Sequence, residues 1–191
     1  MCDRCPQTSF PEPDVRKLLL ALPLLLGACA TEPGPTTPRT VGTVDLQRYA
    51  GTWFEVARFP TSFQDNSTLR CEGVTATYTA RPDGRIGVVN RCRNALAGGA
   101  ERVAQATAYS AAPGNDRLRV SFFWPFYGDY WVIGLDPDYR WAVVGAPDRD
   151  YLWILSRTPQ MAPAEYDAAV AIAAREGFDT TRLRRTAQPG A

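Results

Sequence analysis

Two acidic clusters, Asp136-Pro137-Asp138 and Asp148-Arg149-Asp150, carry the residue types of a metal site or an acid–base pair. Both fall between runs of alternating apolar residues, where Asp serves turn geometry alone, and that is the reading adopted. Cys2 and Cys5 have the spacing of zinc ligands but no second pair to complete a tetrahedron. The chain of 191 residues contains no histidine. That excludes Ser-His-Asp and Cys-His catalysis, His-ligated zinc and haem held by a proximal His. Glu55 and the tyrosines are what remain for proton transfer. No catalytic residue, metal or cofactor is therefore assigned. A net charge of +1 supplies no field to attract nucleic acid.

The elements that could position a site start well into the chain. Val15-Arg16-Lys17 precedes an apolar run from Leu18 to Leu26. The run is too short for a spanning helix and fits the core of a signal peptide. It ends in Leu26-Gly27-Ala28-Cys29, which resembles the bacterial lipobox, where the cysteine becomes the lipidated first mature residue. The expected division is a signal peptide over residues 1–28, a lipidated N-terminus and Pro/Thr-rich tether over 29–43, and one folded domain over 44–191. Ala30 follows the cysteine, not the Asp of inner-membrane retention, so the expected place is the outer membrane, facing the periplasm. Residues 1–14 precede a complete signal, and the expected start is Val15, read from an alternative initiation codon.

The domain reads as short strands at regular spacing. After a helical turn at 45–49 come runs at 51–58, 73–80, 86–92, 102–111, 117–124, 129–135, 139–145 and 151–157. Each break is marked by Gly, Pro, Asn or Asp. Arg117, Arg119 and Ser121 alternate with Leu118, Val120 and Phe122, the pattern of a sheet with one solvated face. Asp83-Gly84 is a hairpin turn that brings Cys71 and Cys92 to the open end of two paired strands. In a disulfide-permitting compartment these two are expected to be bonded. A helix follows over 162–176, with Pro163 in its first turn and Gly177 as its cap. Residues 182–187 add a short strand or trail off. Sequential hairpins predict an all-β, eight-stranded up-and-down antiparallel barrel with one C-terminal α-helix packed outside, and a sandwich is the alternative.

Gly51-x-Trp53 on the first strand and Arg157 at the end of the last resemble the lipocalin signature, in which the arginine covers the tryptophan at the closed end. The resemblance extends through Val74-Thr-Ala-Thr-Tyr78, Asn90, Val120 to Asp136, and Pro147 to Pro159. It points to a bacterial outer-membrane lipocalin, related to apolipoprotein D and the plant temperature-induced lipocalins. The usual Thr-Asp-Tyr motif stands here as Pro137-Asp138-Tyr139. Gly51, Trp53 and Arg157 are expected to be structural, the last two as a cation–π cap.

Alternation from Trp53 places Glu55 and Ala57 inside the barrel. The resemblance adds Tyr78, Val88, Asn90, Phe122, Trp131 and Trp153 to the inward set. Aromatic and apolar walls with few polar groups suit an amphiphile with a long tail, although the same aromatics could fill a solid core. The implied function is a tethered protein that stores, carries or scavenges a fatty acid such as palmitate or a lysophospholipid. A homodimer is compatible with it. The alternative is a lipid-modifying enzyme on the same fold. An unpaired Glu55 facing the cavity would disfavour a free carboxylate and tilt the choice to lysophospholipid.

Overall fold

The computed structural model describes residues 36–189. The signal-peptide segment, Cys2, Cys5, Val15 and Cys29 lie outside the described residues. Eight antiparallel strands form the barrel: β1 (Gly51–Arg58), β2 (Cys71–Ala80), β3 (Ile86–Asn94), β4 (Ala100–Ser110), β5 (Arg117–Phe123), β6 (Phe126–Leu135), β7 (Trp141–Gly145) and β8 (Leu152–Ser156). Each pairs with its neighbour in sequence, and β1 pairs with both β8 and β2, so the sheet closes and exposes no long edge. This is the architecture the regular hairpin spacing predicted. Residues 182–187 resolve in favour of a strand: β9 (Arg184–Arg185) lies on β1 beside Ala57 and Arg58.

The alternation of residue types sorts side chains to the two faces of the wall. Inside, Tyr49, Trp53, Ala76, Tyr78, Ile86, Val88, Ala106, Ala108, Leu118 and Leu155 share one buried cluster. Outside, Val143, Leu152 and Ile154 meet Ala169 and Ala173 of α2 (Pro163–Arg175) and Phe178 beyond it. Pro163 sits at the start of that helix, where its missing N–H costs nothing.

One end is sealed. Asp45 caps the short helix α1 (Leu46–Tyr49) by accepting from the Gln47 and Arg48 amides at 2.8 and 3.3 Å. Arg157 then lies 3.8 Å from the Trp53 ring centroid. Its guanidinium donates to the carbonyls of Thr52 at 3.0 Å, Arg48 at 2.6 Å and Ala50 at 3.0 Å. Gly51 makes room for it, with φ of 95° and space in which a Cβ would touch Arg157 Nη1 at 3.4 Å. The Pro137-Asp138-Tyr139 turn belongs to this end, with the Tyr139 hydroxyl accepting from the Asp45 amide at 2.9 Å.

The other end is open, and four connections meet there: 59–70, 95–99, 124–125 and 146–151. The Cys71–Cys92 disulfide, with Cα atoms 5.3 Å apart, ties β2 to β3 on that side, as the Asp83-Gly84 hairpin implied.

Candidate functional site

The candidate site is the barrel interior, built here from floor to mouth. Tyr130 is the hub of the floor: its hydroxyl is 2.8 Å from those of both Tyr49 and Tyr78. The Trp53 indole N–H donates to the Tyr49 carbonyl at 2.8 Å. Burial raises the pKa of all three tyrosines, that of Tyr78 to about 12. At neutral pH they are uncharged hydroxyls already engaged with one another. What space is left beside Leu46, Tyr78, Ile86 and Leu118 is a void of ≈10 Å³, about one water.

Register places Ala76, Asn90 and Ala104 in one inward row, and Tyr78, Val88 and Ala106 in the row below. Val120 and Gly128 face each other on the same inner surface. Ala106 and Val88 are buried, but Asn90 and Val120 are only half-buried, and inward-facing Ala104 and Gly128 are exposed. Inward residues that water reaches define an open cup. Its lining at Ala104, Val120 and Gly128 is small and apolar, and the buried Asn90 amide oxygen beside it has no hydrogen-bond partner. Phe122 is 42% exposed and lies within a shift of the β5–β6 register between Val120 and Phe123, so alternation from Val120 does not carry through it. Trp153 forms part of the opposite wall, its N–H donating to Gln64 at 3.1 Å.

A buried ionic cluster fills the β1 side of the cup. Arg58 is fully buried and bridges Glu55 at 2.6 Å and Asp65 at 2.7 Å. It also donates to Thr186 Oγ1 and to the Cys71 carbonyl, each at 2.8 Å. Glu55 further accepts from Gln64 at 2.8 Å and Thr186 at 2.6 Å. Burial pushes the Glu55 carboxyl above its ordinary pKa, held back by Arg58, Thr186 and Gln64. Burial works against the Arg58 charge, but Asp65 and Glu55 outweigh it and raise its pKa. Glu55 thus faces inward as expected but is not unpaired, and the argument from it for lysophospholipid over fatty acid falls.

Two members of the expected inward set lie elsewhere. Ala57 packs in the outer cluster with α2, opposite Ile154. The cause is a bulge: Glu55 pairs with Leu155 and Ala57 with Ile154, leaving Val56 as an extra residue. A bulge inverts the alternation beyond it, so Ala57 turns out and Arg58 turns in. The Val56 carbonyl is taken instead by the Thr186 amide at 2.9 Å. Trp131 is also outside, opposite Gly145 and Arg117, with the Arg117 guanidinium 4.6 Å from its ring centroid. Its neighbours Tyr130 and Val132 hold the inward positions on β6. Glu55, Tyr78, Val88, Asn90 and Trp153 are brought together around one interior, whereas Phe122 is exposed beside the register shift of β5. Sequence reasoning missed Arg58, Asp65, Tyr130 and Thr186. Only Tyr130 left a signal, since it shares the phase of Val132 on a strand where the larger indole drew attention.

A closed eight-stranded cup with an arginine-capped tryptophan beneath it defines a class of small ligand-binding barrels. The model of the lipocalin-like domain matches residues 44–188, and the chain belongs to that family. It is 45% identical over 169 residues to outer membrane lipoprotein Blc of Escherichia coli (strain K12), covering 87% of this chain and 92% of that one. Temperature-induced lipocalin-1 of Arabidopsis thaliana is 40% identical over 154 residues, covering 76% and 80% of the two chains. Apolipoprotein D of Bos taurus is 27% identical over 165 residues, covering 76% and 82%. The fold is shared with lobster apocrustacyanin A1 at a TM-score of 0.61 and 17% identity, covering 81% and 91%.

Proposed function

We propose that this protein holds one amphiphilic lipid, a fatty acid or a lysophospholipid, in the cup and neither cleaves nor rearranges it. The apolar inner surface around Ala104, Val120 and Gly128 carries this reading, because inward residues that solvent reaches are accessible to an alkyl tail. Burying roughly ten methylenes at about 0.8 kcal/mol each provides ~8 kcal/mol of gross stabilisation. Loss of ligand freedom offsets much of it, leaving micromolar to sub-micromolar affinity. Asn90 supplies the unpartnered polar group, and Trp153 lines the tail path. Lipidation at Cys29 anchors the protein to the outer membrane on its periplasmic face. The names of the Blc relatives and the Leu26-Gly27-Ala28-Cys29 motif support the outer membrane and the lipid anchor.

Calorimetric titration of the delipidated protein with palmitate and with lysophospholipid of equal tail length tests the reading. Saturable binding of at least one is expected, with ligand recovered unchanged by mass spectrometry. Trp153→Ala should weaken it roughly tenfold through lost contact area. No saturable binding of either lipid, or a chemically altered lipid, would overturn it.

A further inference from the structure

We infer that the mouth of the barrel docks onto a phospholipid bilayer through a ring of apolar loop tips, so that lipid enters and leaves the cup without crossing water. Each of the four connections at the open end presents a large apolar side chain to solvent. Phe63 in 59–70 is 56% exposed, Leu96 in 95–99 is 51%, and Tyr151 in 146–151 is 38%. On the β5–β6 hairpin Trp124 is 83% exposed, flanked by Phe123 at 80% and Phe126 at 77%. The closed-end connections 81–85, 111–116 and 136–140 contribute no exposed large apolar residue among the described residues. Of the other exposed large apolar residues, Val103 and Tyr109 lie apart on β4. A cluster of apolar loop tips at one end is the mark of an interaction surface, and Trp and Phe are the side chains that settle at a membrane interface.

The path of the chain selects a membrane as the occupant, and this step rests on the anchoring at Cys29 proposed above. Residues 36–44 run down the barrel from mouth to floor. The Thr36 carbonyl accepts from Arg149 at 3.4 Å in the 146–151 connection, whereas the Val44 amide donates to Gly114 at 2.7 Å at the closed end. The tether therefore joins the barrel at the mouth end. Thr36 follows Cys29 by seven residues (36 − 29), a reach of at most ~24 Å. A mouth turned away from the membrane would require those residues to stretch back along strands roughly 30 Å long. A mouth turned towards it requires no such stretching.

Depth-sensitive fluorescence on the mature lipoprotein tests the docking. The protein is reconstituted into vesicles of phosphatidylethanolamine and phosphatidylglycerol with brominated acyl chains. Bromine should quench the wild type strongly, and Trp124→Phe should remove most of that quenching. In a Phe123→Ser/Trp124→Ser/Phe126→Ser variant, transfer of a fluorescent lysophospholipid to vesicles should slow about tenfold, with affinity for the dispersed probe within about twofold of wild type. An unchanged near-ultraviolet circular dichroism spectrum would show that the triple variant keeps its packing. Equal quenching in wild type and Trp124→Phe would overturn the inference. So would a dimer, formed without vesicles and dissociated by the triple variant, because the mouth would then belong to a second copy. Trp124 quenching without saturable lipid binding would instead refute the cup's proposed function and leave the docking standing.

Discussion

Each end of the barrel is built around one arginine, and the two are held in different ways. At the closed end Arg157 is half-buried and meets an aromatic face and backbone carbonyls, from α1, the start of β1 and Tyr139 in the 136–140 connection. At the open end Arg58 is wholly buried and bonded to groups from Glu55, Asp65, Cys71 and Thr186, which lie on β1, two neighbouring segments and the C-terminal strap. A partly solvated guanidinium is adequately served by dipoles and a π face, whereas a fully desolvated one needs carboxylates. The floor is thus closed by packing, and the upper wall is held by long-range charge neutralisation.

The largest effect should come from Arg58→Met. It strands Glu55 without its guanidinium, while Asp65 keeps only Arg184, at a cost of about 3–5 kcal/mol in urea denaturation. A loss no larger than that of Arg157→Ala would break the contrast between the two ends. Replacing Cys71 and Cys92 together by Ala should remove about 3 kcal/mol, by releasing a 21-residue separation in the unfolded chain. Peptide mapping without reduction should first show the two cysteines linked.

Arg157→Ala should cost about 2 kcal/mol, read as a lower melting temperature, while lipid affinity stays within error of wild type. Arg157→Lys should recover little, because an ammonium cannot fork to three carbonyls while lying over an indole. A loss of lipid affinity in either variant would mean that the floor shapes the cup directly.

The smallest effect concerns Asp136 at the closed end. Its carboxylate is held below the ordinary range by the Arg140 side chain, and also by the Arg140 and Asp138 amides. Because the folded pKa is depressed, the stabilisation is present above the unfolded value and fades as pH falls through the folded one. Asp136→Asn should therefore cost about 1 kcal/mol at neutral pH, with the exposed arginine limiting the gain. The two melting curves should converge in acid. A gap that persists there would assign the loss to turn geometry and not to charge.

Much of this architecture was legible from local pattern. The Asp83-Gly84 turn, the two cysteines at the open end of its hairpin, the alternating strands and Pro163 at a helix start each act over a few residues, and each appears as expected. The pairing of Trp53 with Arg157, remote in sequence, was legible only because the family resemblance joined two short motifs. Part of the interior was legible too, for Tyr78, Val88, Asn90 and Trp153 keep the phase assigned to them. Alternation has a weakness of its own: a single extra residue reverses everything after it. Val56 is that residue, and nothing in Glu55-Val56-Ala57-Arg58 announces it.

The sequence determined the class of fold and the disulfide, because turn chemistry, period and spacing are properties of short segments, and it reached the closed end through the resemblance of two motifs. Only the tertiary structure decided that Arg58 enters the wall while Ala57 and Trp131 leave the interior. It also decided that Thr186 and Gln188, more than 120 residues away, complete the bonding around Glu55. The physical reason is desolvation. A buried charge is stable only where partners converge, and convergence of segments so distant in the chain exists only once the barrel has closed around them.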